Sequence, residues 1–204
     1  MDNLEKLEKL YLQYSNCQNC NLSKDRTNIV FGEGNSKTGV IFIGEAPGHN
    51  EDIEGSPFCG AAGHLLNNYL DLIGAHRKDI YITNVVKCRP PNNRNPYVGE
   101  IKSCKIILDS QLEIISPAII VTLGNVATKA FLNLKDGISE LRGRWFQKDK
   151  YRILPMFHPA ALLRDPEKKK DTSQDFEILK REFNLWKNKE LLNRKISLDK
   201  SKKL

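Results

Sequence analysis

GVIFIGEAPGHNED, Gly39–Asp52, is the stretch on which the reading of this chain turns. The apolar run Val40-Ile41-Phe42-Ile43 breaks into Gly-Glu-Ala-Pro-Gly and then into acidic residues. A short continuous apolar run closed by glycine and proline predicts a strand buried on both faces, as in a parallel sheet. The turn behind it lacks the lysine and hydroxyl of a Walker loop and the three-glycine spacing of a Rossmann fingerprint. It carries Glu45, Glu51 and Asp52 instead. Its backbone amides suit a carbonyl oxygen or a water better than a nucleotide phosphate.

Three further runs share this character: Ile80–Thr83, Ile119–Leu123 and Arg152–Met156. Helix-like segments lie between them at His64–Ile73, Val98–Ile115 and Val126–Leu134. A later segment, Ser173–Leu192, places Phe176, Leu179, Phe183 and Trp186 on one stripe, the pattern of a packed terminal helix. Strand and helix in alternation predict an α/β fold, a three-layer α/β/α sandwich with a four-stranded parallel central sheet. At 204 residues, a single domain is expected over 1–192, followed by a basic tail over 193–204.

In such sheets the ligand site gathers beyond the carboxyl ends of the strands. The four ends here lead into Gly44-Glu45, Asn84, Gly124-Asn125 and Phe157-His158. A carboxylate, an amide and an imidazole thus converge on one rim. Glu45 is placed to bind or activate water. Asn84 offers both a donor and an acceptor, the requirement for reading the edge of a base. No lysine stands among these residues, which argues against Schiff-base chemistry.

The five cysteines are unevenly spaced: Cys17-x2-Cys20, a lone Cys59, then Cys88 and Cys104 with fifteen residues between them. Two distant pairs suit one four-thiolate site closed by folding, and spacing alone leaves zinc and an iron–sulfur cluster both open. Cys59, in an apolar turn, reads as a packed residue. The loop Lys87–Pro96, KCRPPNNRNP, is basic and abuts a cysteine, so it reads as a phosphate-contacting surface. Arg142, Arg144 and Arg164 add charge on that side. The net charge of +7 agrees with a polyanionic partner. No apolar stretch approaches the roughly 20 residues that span a bilayer, and the charged N-terminus lacks a signal-peptide core. A cytoplasmic monomer with no membrane contact is expected.

Together these motifs resemble the uracil-DNA glycosylase superfamily, most closely its family 4, the iron–sulfur-containing enzymes. The matching pieces are GEAPGHNEDIEGSPFCGAAGHLL, ITNVVKCRPPNNRNP, the C-x2-C…C-x15-C pattern, LRGRW and HPAALLR, spanning about Cys17 to Arg164. The resemblance implies a [4Fe–4S] cluster on Cys17, Cys20, Cys88 and Cys104. It implies release of uracil from single- or double-stranded DNA, with Glu45 and His158 catalytic and Gly44, Phe58, Asn84 and His158 around the base. Phe58 would stack on uracil, Asn84 would read its edge, and His158 would stabilise the departing base. Lys87, Arg89, Arg94, Arg142, Arg144 and Arg164 would face DNA, with Leu162 or Leu163 wedged into the vacated stack. The KRRIH insertion of the cross-linking branch is absent, so hydrolysis with turnover is expected. A non-catalytic iron–sulfur DNA-binding protein of the same fold, and a glycosylase for another deaminated base such as hypoxanthine, are the alternatives.

Overall fold

Side chains alternate across the first long strand, and that alternation builds two separate cores. Val40 and Phe42 enter one cluster, while Ile41 and Ile43 enter the other. The computed structural model describes residues 1–132 and 134–201, with side chains described through residue 189. In chain order the elements are α1 (Asn3–Tyr14), β1 (Glu33–Gly34), β2 (Val40–Gly44), α2 (His49–Glu54), α3 (Ala61–Leu72) and β3 (Tyr81–Asn84). Then follow α4 (Val98–Ile115), β4 (Ile119–Leu123), α5 (Gly124–Phe131), α6 (Ile138–Leu141) and β5 (Phe146–Lys148). The chain ends with β6 (Tyr151–Met156), α7 (Pro159–Arg164) and α8 (Lys168–Ser201).

All four expected strands form, and they pair in parallel as β3-β2-β4-β6. The sheet is larger than expected. It has six strands in the order β1-β3-β2-β4-β6-β5, because a short antiparallel strand closes each edge. Those edge strands are two and three residues long, too short to print an alternating pattern on the sequence. From β2 the chain moves outward to β3, then returns across to β4 on the other side. The carboxyl ends of β2 and β4 therefore face a crevice that no crossover fills.

One helical layer, α3 with α8, covers Val40, Phe42, Val121 and Leu154 through Leu66, Leu70, Phe176, Leu179 and Phe183. The stripe expected over Ser173–Leu192 is thus a core face, and Phe176 stacks on Phe42 and Tyr69 at 6.2 and 5.0 Å. The opposite layer, α1 with α4, covers Ile41, Ile43, Ile120 and Ile153 through Leu7, Leu10, Ile107, Leu108 and Leu112. Helix α8 continues to Ser201 through most of the segment expected as a tail, and residues 202–204 lie outside the described residues.

An ion pair ties α8 to the loop before β5. Arg142 donates through Nε and Nη2 to the two oxygens of Asp175, at 2.9 and 2.6 Å, and also to the Asp171 carbonyl. Asp175 is fully buried. Arg142 is therefore an internal brace and not the DNA contact that its place in LRGRW suggested. Removing one partner of a buried pair strands the other charge, which typically costs about 3–5 kcal/mol, whereas replacing both with apolar groups is far milder. Arg142→Ala is expected to lower the unfolding free energy by that amount, read as a lower urea midpoint at unchanged m-value. Arg142→Met with Asp175→Leu should recover most of it.

Candidate active site

The four parallel strand ends open into a cleft of about 520 Å³. Its lining includes Glu45 behind β2, Phe58 from the α2–α3 connection, Asn84 ending β3, Gly124 after β4, and His158 after β6. The residues expected to converge do so. Gly44 sits beneath them. A Cβ there would lie 2.4 Å from Asn84 Oδ1 and 2.6 Å from the Phe58 ring, so only glycine lets these side chains close over the strand end. Phe58 adopts φ 53°, a left-handed backbone rare for an aromatic residue. Gly63 makes room for it from α3, since a Cβ there would meet the Phe58 carbonyl oxygen at 1.6 Å. The Phe58 ring faces the imidazole of His158 at 5.4 Å.

Three features set the electrostatics. Among the described residues, Asn84 Oδ1 is the only buried side-chain nitrogen or oxygen without a hydrogen-bond partner. His158 Nδ1 accepts the Ala160 N–H at 3.1 Å, which leaves the ring proton on Nε2. Burial pushes His158 down to about 4, and the Arg164 guanidinium adds to the effect, so the ring is neutral at physiological pH. Burial raises Glu45 above its ordinary value, and here Arg164 works the other way.

The remaining acidic residues near this turn have structural work that the sequence reading missed. Glu51 accepts from Gly48 N–H at 3.1 Å and from Gly60 N–H at 3.2 Å. One carboxylate thereby joins the turn carrying Glu45 to the turn carrying Phe58. The signal was present: an acid three residues after Gly48 at the start of a helix is capping-box spacing. Buried Asp52 faces away from the cleft and accepts from the Thr27 N–H at 2.9 and 3.1 Å.

The basic residues divide. Lys87 is fully buried with its ammonium bonded inside the protein, so it presents nothing to DNA. Burial draws its amine down to about 7, against the pull of the Cys104 and Cys88 sulfurs. Arg94 forks onto Glu100 at 2.7 and 2.9 Å and lies 3.7 Å over the Tyr97 ring, at the cleft margin. Arg89 bridges Asn93 and His49. Arg144 and Arg164 are exposed, and Arg164 lines the cleft. Of the two candidate wedge leucines, Leu162 is completely buried in the core, while Leu163 is 51% exposed. Consecutive residues on a helix point about 100° apart, so only one can face outward.

Cys17, Cys20, Cys88 and Cys104 line one small pocket together, whereas Cys59 is elsewhere. Arg26, which the sequence did not single out, donates to the Cys17 carbonyl at 2.7 Å and to Cys88 Sγ at 3.4 Å. The Lys87 N–H donates to Cys104 Sγ at 3.3 Å. These donors suit electron-rich sulfur, and no carboxylate lines the pocket. Among the described residues, no three His, Cys, Asp or Glu side chains are drawn tightly enough to hold a metal ion as they stand. The thiols are gathered but not in coordination geometry.

Known proteins share this framework. Residues 31–182 match the family model of the Uracil DNA glycosylase superfamily. The chain is 42% identical over 181 residues to a type-4 uracil-DNA glycosylase of Archaeoglobus fulgidus, covering 85% of this chain and 91% of that one. It is 45% identical over 189 residues to the type-4 enzyme of Saccharolobus solfataricus, covering 88% and 86%. To the type-4 enzyme of Thermotoga maritima it is 45% identical over 165 residues, covering 79% and 85%. With similarity this high along most of its length, the chain belongs to the uracil-DNA glycosylase superfamily, in its type-4 branch.

Proposed function

We propose that this protein hydrolyses the N-glycosidic bond of deoxyuridine in single- or double-stranded DNA, releasing uracil and leaving an abasic site. The unpartnered Asn84 Oδ1 carries this reading. A buried polar atom without a partner costs about 1–3 kcal/mol, which an incoming donor relieves. Uracil presents N3–H to Oδ1 and O4 to the amide N–H of the same side chain. Cytosine presents the reverse pattern and would leave the amide mismatched. Phe58 supplies a face on which the base stacks.

The base must leave the helix before its glycosidic bond can be reached. Leu163 is the side chain we assign to the vacated stack, and Arg89, Arg94, Arg144 and Arg164 to the phosphates around it. As the C1′–N1 bond breaks, its electron pair leaves with uracil. His158 Nε2–H donates to a uracil oxygen, where negative charge develops. Glu45 takes a proton from the water whose oxygen bonds to C1′, and its charge offsets the cationic sugar. Among the described residues no lysine lines the cleft, and we assign completion of the reaction to water, not to an imine. We take the protein to act as a monomer in the cytoplasm.

We assign Cys17, Cys20, Cys88 and Cys104 to a [4Fe–4S] cluster. Their shared pocket, with N–H donors on two of the sulfurs and no carboxylate, fits thiolate ligation. The cluster would anchor the Lys87–Pro96 loop, and no chemical step passes through it. Protein prepared anaerobically should be brown and contain iron and sulfide in stoichiometric amounts. A colourless, zinc-loaded protein would overturn the assignment.

Alkali treatment of a uracil oligonucleotide exposed to the enzyme should give strand cleavage. Asn84→Ala should lose about 10–100-fold in kcat/KM, the worth of a good bidentate base contact, with binding to uracil-free DNA retained. DNA binding with no cleavage by wild type would favour a non-catalytic relative, and cleavage only at hypoxanthine would redirect the substrate.

The pH profile provides a further check. His158 is already neutral, so kcat/KM should show no inflection near 6.5. Its acid limb should instead follow Glu45, above the ordinary carboxylate range, and disappear in Glu45→Gln along with about 10²–10⁴-fold of the rate. Stability has its own signature. The folded His158 binds a proton only near 4, against 6.5 for the ordinary group, so the unfolded chain binds more protons between these values. Stability should fall as pH drops through that window, and His158→Gln should flatten the slope.

A further inference from the structure

Lys87 has no role in the proposed chemistry, yet it is one of the largest fully buried side chains. Its Nζ donates to Thr83 Oγ1 at 2.6 Å, to Gln111 Oε1 at 2.7 Å and to the Asn84 carbonyl at 2.8 Å. Three acceptors match the three protons of an ammonium. All three are neutral, and a buried cation hydrogen-bonded only to neutral groups, with no carboxylate partner, is costly to the fold. Two of the acceptors are themselves fixed, since Thr83 Oγ1 and Gln111 Nε2 both donate to the Phe31 carbonyl at 2.8 Å.

The backbone around Lys87 is equally constrained. Val85 N–H bonds to the Gly44 carbonyl at 2.9 Å, and Val86 N–H to the Glu45 carbonyl at 3.2 Å. Lys87 N–H reaches Cys104 Sγ at 3.3 Å, and its carbonyl accepts from Val30 N–H at 2.8 Å. Cys88 follows directly. Five consecutive residues therefore run from the unpartnered amide of the cleft to the cysteine pocket, tethered at each step from Asn84 through Lys87.

We propose that Lys87 is a positioning residue, whose side chain holds Asn84 in place for reading the base and whose backbone ties that position to the cysteine quartet. The inference rests on the reading of Asn84 as the uracil-recognising group. Removing the ammonium frees the Asn84 peptide even while the cysteines keep their metal. Disturbing the cysteines reaches Asn84 along the same segment.

The test uses the full chain, purified anaerobically as wild type, Lys87→Met, and Lys87→Met with Gln111→Leu. The double variant removes donor and acceptor together and guards against simple unfolding. For each, iron and sulfide content, urea midpoint, affinity for uracil-free oligonucleotide, inhibition by free uracil, kcat and KM are measured. The double variant should keep wild-type iron and wild-type affinity for uracil-free DNA. Its inhibition constant for uracil should rise about 10-fold, with a matching fall in kcat and KM within twofold, the size of a lost base contact. A purely structural role would move the urea midpoint and leave the uracil constant alone. An iron-loaded variant inhibited by uracil as tightly as wild type overturns the inference. So does a loss of uracil affinity that merely tracks lost iron. Wild type that neither releases nor binds uracil overturns the functional reading itself, and that result is seen before any variant is compared.

Discussion

The parallel pairing of β2 with a strand on either side is the constraint from which the site follows. Ile41, Phe42 and Ile43 each stand in register with a residue of β3 on one edge and of β4 on the other. With both edges paired and both faces buried, the strand admits only apolar side chains. Its end is the first point at which polar chemistry is possible. Because the chain leaves β2 for β3 and then crosses back to β4, the turn after Gly44 looks into an open crevice. Glu45 therefore emerges directly behind a strand paired on both edges, with its carbonyl held by the Val86 N–H. That rigidity is what a preorganised site needs, since small displacements of a reacting group are costly in rate.

The acidity of the following turn then finds a physical account. Three carboxylates, Glu45, Glu51 and Asp52, stand close in sequence but face three directions. Glu51 points back onto the amides of Gly48 and Gly60, and Asp52 onto the loop that follows Cys20. Both serve as acceptors for backbone N–H groups that would otherwise be orphaned. Glu51 also borders the cleft, but its two oxygens are engaged by those amides, whereas Glu45 lines it directly behind β2. Helix α2, six residues long, thus clamps the two turns of the pocket on one side and the cysteine-bearing segment on the other.

How much of this was legible depended on whether the signal was periodic or directional. Buried parallel strands are continuous apolar runs, so β2, β3, β4 and β6 could be read, and with them the rim where Glu45, Asn84 and His158 meet. Lys87 shows the limit. In KCRPPNNRNP it shares the composition of a phosphate-binding loop, and nothing local says that its side chain turns inward to Thr83 and Gln111. Gln111 lies 24 residues away in sequence. Arg142 fails the same way, since its partner Asp175 is on a helix of another element. Leu162 and Leu163 differ only in helical phase, which a six-residue helix does not establish in sequence.

Glu45 and His158 share one environment, and Arg164 acts against burial at one and with it at the other. Burial disfavours charge on both, raising the carboxylate and lowering the imidazole. Burial alone would drive each toward neutrality, which suits a hydrogen-bond donor but not a base. The Arg164 cation favours the ionised carboxylate and opposes the imidazolium, so it acts with burial at His158 and against it at Glu45. The outcome is a neutral ring, its Nδ1 already occupied by the Ala160 N–H, in the cleft that Glu45 also lines. On the proposed reading, the base for water and the donor for the departing anion would not share a proton. Since Arg164 ends α7, five residues after Pro159, the segment that supplies the outward Leu163 also sets this balance.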